Sequence, residues 1–185
     1  MRHWVVPVVC AAALASCNKG PRVDVRNASV NDVAAAVTQS GAMIGGTMIQ
    51  PGLWESKVTI QDIKIPGMPA YAAERMKRTM AEHQEQKTSS CLTPDEVKKP
   101  REGFFAGRNQ SCKYEHFTMG GGKIDMRMVC KIAGSTQTTN MAGKYTPTSY
   151  SMDMSSTGTG GHNEGMAMKM HVDARRVGEC GAKDG

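Results

Sequence analysis

Residues 14–17 read Leu-Ala-Ser-Cys, and Cys17 is the residue of this chain whose chemistry is most explicit. Arg2 places a positive charge ahead of it, and residues 5–15 are apolar apart from Pro7. Charge, apolar run and small residues before a cysteine follow the order of a bacterial lipoprotein signal, whose peptidase admits only small side chains. The sequence therefore predicts removal of residues 1–16 and acylation of the Cys17 sulfur. The apolar run is too short to remain as a spanning helix, whereas two or three acyl chains on one cysteine anchor stably. Asn18 stands where an Asp would hold such a protein at the inner membrane. The expected location is the cell envelope, lipid-anchored, on the outer membrane facing the periplasm.

Methionine is the compositional oddity, with 15 residues against 5% aromatics. Met126, Met128, Met152, Met154, Met166, Met168 and Met170 recur at every second position, so each set shares one face of a strand. Thioethers suit Cu(I) in an oxidising compartment, and His116 is expected on the same face as a nitrogen donor. The simpler reading is a core in which flexible Met replaces missing aromatic volume. Copper handling is thus the alternative, and no cofactor is required.

Beyond the signal and Cys17, four cysteines remain: Cys91, Cys112, Cys130 and Cys180. An even set in an exported chain predicts two disulfides. No C-x-x-C pair is present, which argues against a zinc ribbon or a thioredoxin-like centre. Cys112 and Cys130 are equidistant from Gly121 in a Gly-Gly-Gly turn, so they are expected to oppose each other across a hairpin. That leaves Cys91 with Cys180.

Catalytic patterns are missing: there is no G-x-S-x-G and no H-E-x-x-H. His162, Asn163 and Glu164 sit between glycines, a setting that ordinarily makes a soluble turn. The glycine-rich run before them precedes a strand, so it lacks the helix N-terminus that a phosphate cradle needs. The net charge of +6 forms no dense basic stripe, and no nucleic-acid-reading motif accompanies it.

These groups must be held by elements that hydropathy patterning predicts. Residues 17–50 read as a tether with one short helix, capped by Ser29 and carrying Val30, Val33 and Val37 on one side. From 51 to 180 a single domain is expected, with 181–185 as a tail. Its first strand alternates Trp54, Ser56, Val58 and Ile60 with polar residues. Residues 70–87 form an amphipathic helix with Ala72, Ala73, Met76, Met80 and His83 aligned. Thr93 caps a short helix with Pro94 at its first position. Hairpins follow around Gly121, around residues 146–149 and around Gly160. The first is predicted to pair Tyr114 with Met128, His116 with Met126 and Glu115 with Arg127. The last is predicted to pair Met154 with Met166. The fold class is mainly β (α+β): an antiparallel meander, curled towards a half-barrel, with the 70–87 helix packed on it.

Pro51-Gly-Leu-Trp-Glu55, Cys91-Leu-Thr-Pro-Asp-Glu96, the Cys112/Cys130 hairpin and Arg175-Arg-Val-Gly-Glu-Cys180 occur here in one order. In these features residues 51–180 resemble the bacterial exported proteins grouped as domain of unknown function 3617. That resemblance implies a single disulfide-containing domain, often in lipoproteins, and carries over no catalytic residues. Together these readings predict a non-catalytic binding module. Its expected partners are the membrane through Cys17 and an apolar small molecule or envelope protein; nucleic acid is not expected.

Overall fold

The computed structural model describes residues 20–42, 48–84, 87–98 and 111–181. Cys17 and the predicted signal lie outside these. Eight strands form one antiparallel sheet: β1 (Arg22–Ser29), β2 (Gly52–Lys64), β3 (Thr88–Leu92), β4 (Cys112–Gly120), β5 (Lys123–Ile132), β6 (Ser135–Thr146), β7 (Ser149–Thr159) and β8 (Ala167–Gly178). Their order is β1-β4-β5-β6-β7-β8-β2-β3, an open sheet with β1 and β3 as edges. Strand accounts for 58% of the structure, and the sheet does not close into a barrel. Among the described residues three α-helices accompany it: α1 (Val30–Gln39), α2 (Ala70–Gln84) and α3 (Pro94–Lys98).

The segment read as a tether is built into the domain. β1 pairs with β4 along its length, from Arg22 opposite Gly120 to Ser29 opposite Lys113. Ser29 and Asp32 form the reciprocal cap that starts α1. Val33 and Val37 of α1 are fully buried and join Tyr114, Phe117 and Trp54 in one core. The polar, unpatterned look of residues 22–29 is that of an edge strand with one wet side. The helix that seals the core is therefore α1. The longer α2 keeps Ala72, Ala73, Met76 and Met80 only half-buried along β2, where Lys77 reaches Asp62 at 3.3 Å. His83's side chain lies outside the described residues. At α3, Thr93 and Glu96 cap each other's backbone amides, and Val97 is buried.

Two hairpins depart from the predicted register. Between β4 and β5 the turn is the pair Gly121-Gly122, with φ of 59° and 73°, so Gly120 opposes Lys123. Two successive left-handed residues make the tight turn whose twist matches the sheet, and glycine adopts them without strain. This shifts every pairing by one until a bulge at Glu115 restores it, and Tyr114 meets Met128 as expected. Between the turn and the bulge, Phe117 faces Met126, while His116 opposes Arg127 on the other face. The β7–β8 connection is centred on residue 162, not Gly160: Met154 opposes Met170 and Met152 opposes Val172. Thr157 and Thr159 prolong β7, and a 3-10 turn over Gly161–Asn163 closes the loop. The β6–β7 hairpin keeps its predicted register, with Tyr145 opposite Tyr150 and Met141 opposite Met154.

Both disulfides join the predicted partners. Cys112 and Cys130 are opposed in the β4–β5 ladder, and Cys91 of β3 is bonded to Cys180 beyond the end of β8.

Candidate ligand cavity

Cross-strand pairing carries one row of side chains over seven strands: Val25, Phe117, Met126, Met141, Met154, Met170 and Ile60. Neighbours in such a row project from the same face. Four methionines on four adjacent strands therefore stand side by side. The next row towards the β6–β7 turn holds Met119, Ile124, Gly143, Met152 and Val172. This inner face bounds a cavity of about 410 Å³ whose lining comes from every strand from β2 to β8. Residues from both β4 and β3 reach the same space, so the open sheet is curled around it. The volume falls within the range of small-molecule sites, and so does its apolar lining with a few polar groups.

Apolar lining residues include Met126, Met141, Met152, Met154 and Trp54, and the polar ones are hydroxyls. Trp54 stacks on Tyr150 with ring centroids 5.9 Å apart, and its indole N–H donates to the Gln50 carbonyl at 3.0 Å. That bond fixes the 48–51 strap, whose Gln50 amide in turn donates to the Pro147 carbonyl. Burial pushes the Tyr114 phenol up to about 12 and raises Tyr145 and Tyr150 as well. All three are thus neutral donors throughout the physiological range. The Tyr150 hydroxyl has no hydrogen-bond partner among the described residues. The cavity therefore combines an apolar body with hydroxyls gathered near the β6–β7 turn, where Ser56, Tyr145, Thr146 and Tyr150 meet.

The outer face is different chemistry. A wider groove of about 540 Å³ is lined there by Lys57, Lys144, Ser151, Asp173 and Arg175, and it shares Ser56, Tyr145 and Tyr150 with the cavity. Its Glu55 is already engaged by Lys87 and Arg175, each at 3.3 Å, and the Lys87 and Arg175 bonds hold the carboxyl below its usual range. His171 lies between two carboxylates, with Nδ1 at 2.7 Å from Asp153 and Nε2 at 3.2 Å from Asp173. The Asp153 bond, reinforced by Asp173, raises its basicity. Ser151 Oγ is also 3.2 Å from Nε2. A serine, a histidine and an aspartate thus line up, with the flanking carboxylates favouring the protonated form of the imidazole.

The predicted soft-metal set is only partly brought together. Met126, Met152, Met154 and Met170 share the inner face, as do Met128 and Met168 at its far end. Met166 falls just before β8 and lines a small groove beside the β7–β8 loop. His116 is on the outer face, 2.5 Å from Asp125, because the bulge at Glu115 turns it away. The expected Glu115–Arg127 pair forms at 2.6 Å. The trio at 162–164 makes the loop itself: Glu164 accepts from the Gly160 amide at 2.6 Å. Among the described residues no three His, Cys, Asp or Glu side chains converge to hold a metal. Sequence reasoning missed Met141, Tyr145 and Tyr150 as lining. Their one available signal was the correctly predicted β6–β7 register, which places Met141 beside Met154.

Residues 49–180 match the family model described as protein of unknown function (DUF3617). No curated protein matches, and no solved structure does. The match spans more than half of the chain, and the chain belongs to that family. β1 and α1 precede the matched stretch, although β1 supplies Val23 and α1 supplies Val33 and Val37 to its core.

Proposed function

We propose that this family member is a non-catalytic envelope lipoprotein, anchored through Cys17, that binds an apolar or amphiphilic small molecule on the inner face of its sheet. The observation that carries the reading is the curled, open sheet around an apolar cavity with hydroxyls grouped at one end. Burying an apolar ligand there gains roughly 25 cal/mol for each Å² removed from water. The Tyr150 phenol supplies a donor to fix the ligand's polar end. The test is native mass spectrometry of protein purified from its host. A lipophilic adduct is expected, and Met152→Trp, which fills the space, should abolish it with the β-sheet circular dichroism unchanged. Repeated absence of any adduct, together with failure to bind hydrophobic fluorescent probes, would sink the reading.

A second reading is favoured by one particular arrangement, the Met126–Met141–Met154–Met170 row. Adjacent strands lie about 4.8 Å apart, so neighbouring thioethers are within reach of one soft monovalent ion. Ag(I) is then expected to raise Tm, and Met141→Leu with Met154→Leu to remove the rise. An unchanged Tm with Ag(I) in the parent protein dismisses copper handling.

A further inference from the structure

We infer that the end of the sheet bearing the Gly121-Gly122 and Pro147-Thr148 turns docks on a bilayer rich in anionic headgroups, with the cavity's hydroxyl end towards it. The inference rests on the lipid-anchor reading of Cys17. Only Asn18 and Lys19 separate that cysteine from Gly20, so its sulfur-bearing residue lies at most about 11 Å away along the chain. Gly20 and Pro21 border a groove of about 360 Å³ with Gly121, Gly122, Tyr145 and Pro147. The anchor therefore tethers this end of the sheet, rather than the opposite one, within roughly 11 Å of the acylated residue. The opposite end carries the Gly134 turn and the β7–β8 loop.

Charge supports the same orientation independently. An outer-face row close to these turns runs Arg22, Gly120, Lys123, Lys144, Ser151, Asp173 and Lys57 across seven strands. Arg22, Lys123, Lys144 and Lys57 are all exposed, and none has an acidic partner among the described residues. Asp173, the row's one acid, is turned to His171. Within this row four exposed cations face one acid, and Glu55 in the neighbouring row is already engaged by Lys87 and Arg175, so the row attracts an anionic surface. Tyr145, Thr146 and Met48 line both the groove beside Gly20 and the inner cavity. A ligand passing between bilayer and cavity would enter there, tail first into the methionine rows.

Hydrogen exchange on the full lipidated chain tests this. Vesicles of phosphatidylglycerol with phosphatidylethanolamine are compared with vesicles of phosphatidylcholine. On the anionic vesicles the Gly121, Gly122 and Thr148 amides are expected to exchange several-fold more slowly, while Gly134 and Gly161 stay unchanged. Protection at Gly134 and Gly161 instead, or at neither end, overturns the orientation. The double variant K123E/K144E, exposed at both sites, should stay vesicle-bound yet lose the protection; retained protection overturns the role of the charge row. The mass of the N-terminal peptide separates the two levels. Without acyl mass the anchor reading and this proposal both fall; with it, absent protection removes the docking alone.

Discussion

Near β1 and β4 the inner face is sealed, whereas near β7, β8 and β2 the same face stays half open. Tyr114, Phe117 and Met119 are at most 1% exposed beneath α1, and Val33 and Val37 are as buried. Met152, Met154, Met168 and Met170 occupy equivalent inward positions but are only half-buried, and Val58 is 42% exposed. Alternation is equally regular in both regions. What differs is the cover: α1 lies over one half, where Tyr114 and Phe117 form the closed wall of the cavity, and the other half is left without it. How far an inward-facing residue is exposed is therefore set by a helix that is distant from it in sequence.

Truncations should separate the two halves most sharply. Phe117→Ala is expected to cost about 4 kcal/mol, since a buried aromatic leaves a cavity behind. Met154→Ala should cost about 1 kcal/mol, because the parent side chain is half solvated and already borders open space. Urea unfolding measures both, and equal losses would mean the halves are equally packed. Next comes the staple of the open half: Cys91→Ser with Cys180→Ser releases a long loop, worth about 4 kcal/mol in the chain-entropy model. Should the reduced and oxidised proteins show the same denaturation midpoint, that estimate fails.

The smallest effect concerns His171 on the outer face of the open half. Its folded pKa is raised above the ordinary 6.5, first by Asp153 and then by Asp173. A group raised in this way stabilises fully below the unfolded pKa and loses the contribution as pH rises through the folded value. Parent protein should therefore lose stability relative to His171→Asn between pH 6.5 and the folded pKa of His171. A constant difference across that window would contradict the assignment.

Legibility in the sequence followed parity. A two-residue turn in place of a centred one moves the β4–β5 register by one, and a one-residue slip reverses every face. Only the segment from turn to bulge was affected, and it contains His116, so the expected nitrogen donor went to the wrong side. The β7–β8 register moved by four, an even number, so Met168 and Met170 kept the inner face although their partners changed. The Cys112–Cys130 pair survived because the bulge restored the count before reaching it. No local pattern announces a bulge at Glu115.

By itself the sequence determined the six strands β2 and β4–β8, their alternation, both disulfides and the family, because period-two patterning, turn residues and cysteine context are local or nearly so. It also marked Ser29 and Thr93 as helix caps for the same reason. Tertiary structure alone decided that residues 22–42 belong to the core, that α1 covers half of the inner face, and that four methionines form one row. Those outcomes depend on which strand lies next to which and on how far the sheet curls, and both are settled by contacts between residues remote along the chain.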